Sequence, residues 1–110
     1  MTLPNQEYAF IPLAKLKNYL LSETHAVGRS KAKFFRGFGF NDSNIHLLEQ
    51  ALLSIAHNEH IHEVETTTHG AKYTIDGWLQ TPVGRTVRIR TVWIIEKGAD
   101  RPRFVTAMPN

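Results

Sequence analysis

Between His25 and Phe38 the chain reads HAVGRSKAKFFRGF, which sets His25, Gly28, Arg29, Lys31, Lys33 and Arg36 among Val27, Phe34, Phe35 and Phe38 with no acidic residue. A histidine in a loop can exchange protons near neutral pH. The helix start predicted just beyond it, together with Arg29, favours a phosphate nearby. Cleavage of RNA needs this inventory: a proton acceptor for the ribose 2′-OH, a donor for the leaving 5′-oxygen, and cations for the charge that builds on the phosphorane. No metal is required for that chemistry. A loop histidine ahead of an ordinary basic amphipathic helix has the same composition, and the segment alone leaves both readings open.

A second constellation lies downstream. Arg88 and Arg90 are two apart in a β-patterned run and project from one face, where Lys72 and Thr74 of a neighbouring strand can stand beside them. Like charges side by side repel, so a bridging anion makes the arrangement intelligible, and the planar guanidinium suits phosphate. The competing reading is a solvated sheet face with Asp76 and Glu96 as partners. His57, His60 and His62, near Glu59, Glu63 and His69, match neither HExxH nor a cysteine-containing zinc pattern, so a polar helix-to-strand junction is the better account. Trp78, Trp93 and Tyr73 are read as core or sheet packing in preference to base-stacking platforms. There is no GxGxxG or GxxxxGK[ST] pattern and hence no nucleotide-cofactor or P-loop site; no cofactor is expected.

The elements that carry these residues follow from period and punctuation. Leu13, Leu16, Tyr19 and Leu20 recur on one face behind Pro12, predicting a helix over Pro12 to Leu21. A second helix is predicted over Arg29 to Phe38, with Gly39 as its left-handed cap and with Lys33 and Arg36 off the apolar stripe. One of Asn41, Asp42 and Ser43 caps a third, whose Ile45, Leu48, Leu52, Ile55 and Ala56 keep helical spacing to about Asn58. Residues 1 to 10 are expected to be irregular. Beyond Asn58 the period shortens to two. Strands are predicted over Val64 to Thr67, Lys72 to Gln80, Thr86 to Glu96 and Phe104 to Met108. The expected fold is a single α+β domain over residues 1 to 110, with three N-terminal helices packed on one face of a four-stranded antiparallel meander.

Length and charge agree with one small domain. The 110 residues carry a net charge of +3, unevenly spread. Gly28 to Phe40 has four basic and no acidic residues, Gly37 to Ala71 five acidic and no Lys or Arg, and Lys72 to Arg103 seven basic against three acidic. Two basic segments flanking an acidic one favour an anionic partner on one surface. The acidic third helix would be a poor recognition helix for DNA, which weakens a helix-turn-helix reading. With no cysteine, disulfides and thiolate nucleophiles are excluded. No membrane-spanning run and no secretory leader is read in the sequence, so the expected location is cytoplasmic.

Three stretches, KLKNYLLSETHAVGRSKAKFFRGFGF, KYTIDGWLQTPVGRTVRIRTVWIIEKG and PRFVTAMP, together resemble the DUF6883 domain family of small bacterial proteins. Its pattern, His-x-x-Gly-Arg-x-Lys-Ala followed by a sheet ending in Pro-Arg-x-x-Thr, is met by His25, Gly28, Arg29, Lys31, Ala32, Pro102, Arg103 and Thr106. Residue 26 is Ala where the family often has Pro, a difference in loop stiffness. The organisation is similar to that of the barnase, EndoU, colicin and RelE-like group of metal-independent RNase toxins. That resemblance implies RNA as substrate, a small antitoxin or immunity protein as partner, and cleavage by 2′-OH transesterification. Carried onto this sequence, it implies His25 as general acid or base, Arg29, Lys31 and Arg103 as phosphate and transition-state ligands, and Thr106 as a positioning hydroxyl. Lys33, Arg36, Lys72, Arg88 and Arg90 would then guide the RNA backbone. The alternative is a non-catalytic module that binds protein or nucleic acid through the same basic surface.

Overall fold

In a computed structural model that describes residues 1–110, the two expected layers are present. The helical layer contains α1 (Leu13–Lys15), which widens at once into a π-helical turn, Leu16–Leu20, then α2 (Arg29–Gly37) and α3 (Ile45–Asn58). The sheet contains β1 (Glu63–Thr67), β2 (Gly70–Gln80), β3 (Thr86–Glu96) and β4 (Arg103–Pro109), antiparallel and in chain order. The predicted boundaries agree to within two residues except at the first helix. There the regular pattern expected over Pro12 to Leu21 gives way to the π turn, closed by the Leu21 N–H donating to the Leu16 carbonyl at 2.9 Å.

Local signals act where the sequence puts them. Asn41 caps the 3₁₀ turn Asp42–Asn44 that leads into α3: its side chain accepts from the Ser43 N–H at 2.8 Å, while the Asn44 side chain accepts from the Asn41 N–H at 2.7 Å. Gly39 has φ +97° and ends the α2 region in the left-handed conformation. Alternation along β2 and β3 sends Ile75, Leu79, Ile89 and Trp93 inward against Leu16, Leu20, Phe35, Leu48, Leu52 and Ile55, all buried. At Gly77 an added Cβ would lie 3.0 Å from Ile55 Cγ1, so glycine lets α3 seat directly on β2. Buried Trp93 has its Nε1–H satisfied by Thr91 Oγ1 at 2.9 Å, and the Thr91 hydroxyl donates to the Ile75 carbonyl at 2.7 Å.

The N-terminal ten residues are more ordered than their composition suggests. Leu3, Ala9 and Ile11 are buried, a 3₁₀ turn spans Gln6–Tyr8, and Phe10 makes a parallel bridge to Arg103. The Phe10 N–H donates to the Pro102 carbonyl and the Phe104 N–H to the Phe10 carbonyl, each at 3.0 Å. This pairing covers one end of the exposed edge of β4. It also delivers the chain to α1, so that the π turn lands further along the same edge. No helix is long and apolar enough to cross a membrane.

Candidate functional site

The densest convergence of reactive side chains forms where the π turn meets β4. Tyr19, in that turn, places its hydroxyl 3.0 Å from Thr106 Oγ1. Lys31, from the first turns of α2, donates from Nζ to the same Thr106 Oγ1 at 3.0 Å. His25 sets its ring edge-on to Tyr19 with centroids 5.2 Å apart, and the ammonium groups of Lys15 and Lys31 lie 5.0 and 5.7 Å from the Tyr19 ring centre. Burial works against ionising the Tyr19 phenol. Hydrogen bonds from Thr106 and Lys31 and the charges of Lys31 and Lys15 outweigh it, leaving the phenol below the ordinary tyrosine range.

Gly28 is what lets this group assemble. A Cβ there would lie 2.3 Å from the Tyr19 carbonyl oxygen, so the loop before α2 can press against the π turn only as glycine. The same loop defines the state of His25. Its Nδ1 accepts from the N–H of Val27 at 3.1 Å and of Gly28 at 2.9 Å, which puts the proton of the neutral ring on Nε2. A proton on Nδ1 would break both contacts. In this geometry His25 orders the loop and presents an Nε2–H donor, and the two amides it engages are not offered to a phosphate.

Other residues singled out from sequence are distributed differently from expectation. Arg29 does not join Lys31; it lines a separate hollow on α2 with Glu23, Ser30, Lys33 and Arg36. Successive helical positions diverge by about 100°, which separates the two. Arg36 is committed to structure, donating to the Leu21 carbonyl at 3.0 Å from Nε and 2.6 Å from Nη2, and pairing with Asp42 and Glu23. Arg90 is held by Asp76 through two hydrogen bonds of 2.8 and 3.0 Å, and Arg103 is paired with Glu96. Arg90 draws Asp76 below the usual carboxylate range against the opposing effect of burial, with added help from His62 and Arg88. Of the four sheet cations, Lys72 and Arg88 alone have no carboxylate within 4.0 Å. The open sheet face is therefore less basic than its sequence reads.

Lys72 and Arg103 line a broad hollow of about 620 Å³ with Thr67, His69, Ile94 and Lys97. The Tyr19–Lys31–Thr106 cluster lies outside this hollow; reacting groups weigh more here than concavity, because only the cluster brings a phenol, an ammonium and a hydroxyl within hydrogen-bond reach. The histidines at the α3–β1 junction do not converge on a metal-binding set. His62 approaches Asp76 at 3.9 Å instead. Two aromatic readings divide: Trp93 is fully buried as core, whereas Trp78, expected to pack, is 59% exposed on the open sheet face. Tyr19 was legible in sequence only as one of four apolar-face positions of a regular helix. Its link to Thr106, 87 positions away, has no local signature.

The α+β fold has a counterpart among solved structures, and the chain has a family. Residues 2–110 match the family described as Domain of unknown function (DUF6883), and the chain belongs to that family. No curated protein matches it significantly. Among solved structures, a chain from the contact-dependent growth inhibition toxin–immunity protein complex of Klebsiella pneumoniae 342 superposes with a TM-score of 0.75, at 17% identity over 96% of each chain. At that identity the likeness is one of fold.

Proposed function

We propose that this domain is an endoribonuclease toxin that cleaves RNA by metal-independent transesterification and is neutralised by a small immunity or antitoxin protein. The convergence of Tyr19, Lys31 and Thr106 beside His25 is the observation that carries the reading. In this mechanism Tyr19 reacts as its phenolate, the form that Lys31 and Lys15 favour, and the phenolate oxygen takes the proton of the ribose 2′-OH. The 2′-oxygen attacks the adjacent phosphorus, and the bond from phosphorus to the 5′-oxygen breaks. The leaving oxygen takes a proton from the Lys31 ammonium. Thr106, bonded to both Tyr19 and Lys31, then passes a proton from the phenol back to the lysine and restores the starting state. His25 Nε2–H holds a non-bridging phosphate oxygen as charge builds there. Thus His25 acts as a donor and loop organiser, while the proton transfer first ascribed to it falls to Tyr19.

Lys72, Arg88 and Arg103 support the backbone of the RNA along the sheet, and Arg29 and Lys33 supply a second cationic strip on α2. RNA as substrate sets the site of action in the cytoplasm. The partner is proposed from the fold likeness to a chain of a toxin–immunity protein complex.

The test is digestion of RNA in EDTA by the wild type, Tyr19→Phe and His25→Ala. The wild type should cut and leave 2′,3′-cyclic phosphate and 5′-OH ends. Tyr19→Phe should lose about 10²-fold or more in rate, the scale of a proton-transfer group. Cleavage abolished by EDTA would remove the metal-free mechanism, and undiminished cleavage by Tyr19→Phe would remove the proposed base. Binding without any cleavage would leave the non-catalytic module as the reading.

A further inference from the structure

The open sheet face carries a large aromatic side chain that the proposed chemistry does not use. Trp78 of β2 stands directly opposite Arg88 of β3 in register, with the guanidinium carbon 5.9 Å from the indole centre. Its ring is 59% exposed, in contrast to the fully buried Trp93. The exposure has a topological cause: β1 pairs with β2 only as far as Thr74, so Trp78 lies beyond the end of β1 with no strand on that side. Arg88 has no carboxylate within 4.0 Å, and Asp76, the nearest acid along β2, is held by Arg90. An apolar ring flanked by a free cation suits a ligand that is itself both aromatic and anionic.

We infer that Trp78 and Arg88 form a nucleobase-stacking subsite for single-stranded RNA, with the base on the indole and its phosphate met by Arg88. Stacking is sequence-tolerant because every base presents a π-face. Position sets its distance from the proposed reacting centre. Thr106 pairs across β3 with Val92, four residues along the strand from Arg88, while Trp78 and Thr106 stand on the strands flanking β3. With strand rise and strand spacing taken together, the subsite lies roughly 16 Å from Thr106. It therefore holds a nucleotide more than one step along the strand from the scissile phosphate and contributes to substrate selection without touching the reacting atoms. The inference rests on the nuclease reading for the choice of RNA as the ligand and for the place of the scissile phosphate, while the stacking subsite itself rests on Trp78 and Arg88.

The experiment follows the tryptophan fluorescence of the full chain during titration with a short single-stranded 2′-O-methyl oligonucleotide, which lacks the nucleophilic hydroxyl and cannot be cut. Binding should quench emission. Trp78→Ala should abolish the quench and weaken affinity by about tenfold or more, the scale of one stacked base. Trp78→Phe should lose the quench while keeping most of the affinity, and Arg88→Ala should weaken binding. Equal affinity of wild type and Trp78→Ala, or a quench that persists in Trp78→Ala, overturns the subsite. So does a quench by an acidic polypeptide with none by the oligonucleotide, which would make the face a protein-docking surface. Because the probe is not a substrate, Trp78-dependent binding by a protein that fails to cleave RNA upholds the subsite and sinks the nuclease reading alone.

Discussion

Tyr19 is the residue whose environment changes its chemistry most. Its phenol is partly buried, which by itself would favour the neutral form, yet Thr106 and two lysines favour the phenolate more strongly. A spectrophotometric titration should therefore resolve one tyrosine with a midpoint below the ordinary value of about 10. Tyr19→Phe should delete that early step. Lys31→Met should move the midpoint upward, since it removes both a hydrogen bond and a charge. The absence of any tyrosine step below the ordinary range would contradict the assignment. His25 illustrates the converse: its residue type suggests proton transfer, while in the structure its Nδ1 accepts from two backbone amides, and the proposed mechanism uses its other nitrogen as a donor.

At the scale of elements, the junction of the π turn with α2 is the part on which the site depends. The two pieces touch through Gly28, where a methyl group would collide with backbone atoms that cannot rotate away. Gly28→Ala should destabilise the domain by about 1–3 kcal/mol, the usual range for overpacking, and should impair activity beyond that loss by displacing Tyr19 and His25. Gly37→Ala is the control: it lies at the end of the same helix with nothing within 4 Å of the added carbon. Thermal melts of the two variants, each beside its RNA-cleavage rate, check this. Equal melting temperatures for Gly28→Ala and the wild type would show that the junction yields more easily than its geometry implies.

For the molecule as a whole, the paired charges of the sheet make stability depend on pH. Asp76 is held below its usual value chiefly by hydrogen bonding to Arg90. In the unfolded chain it protonates near the ordinary aspartate value of about 3.9. Its stabilisation is therefore fully present above that pH, and it fades as pH falls from there through the lower folded-state value. Asp76→Asn should lower the melting temperature at pH 7 and flatten the acid side of the stability profile, until the variant and the wild type converge in strong acid. A melting curve shifted equally at every pH would mean that Asp76 acts through packing and not through charge.

Sequence alone determined the layers: helix period, strand alternation and turn residues all act over a few positions, and Gly39, the β2–β3 alternation and the α3 stripe are therefore legible locally, whereas Asn41, one of three candidate caps for the third helix, caps the 3₁₀ turn that precedes it. It also marked His25, Lys31 and Thr106 through a family pattern. What only the tertiary structure decided was which of these meet. Arg29 and Lys31 part because helical neighbours face different ways; Arg36 finds carboxylates that no spacing rule pairs with it; the sheet carboxylates Asp76 and Glu96, an open alternative to a bridging anion, take Arg90 and Arg103; Trp78 stays exposed because β1 stops short. Tyr19 enters the site because Phe10 bridges to β4 and the chain then closes into a π turn at the sheet edge. Such contacts join residues far apart in the chain, and their partners are settled by how the layers pack, which no local pattern encodes.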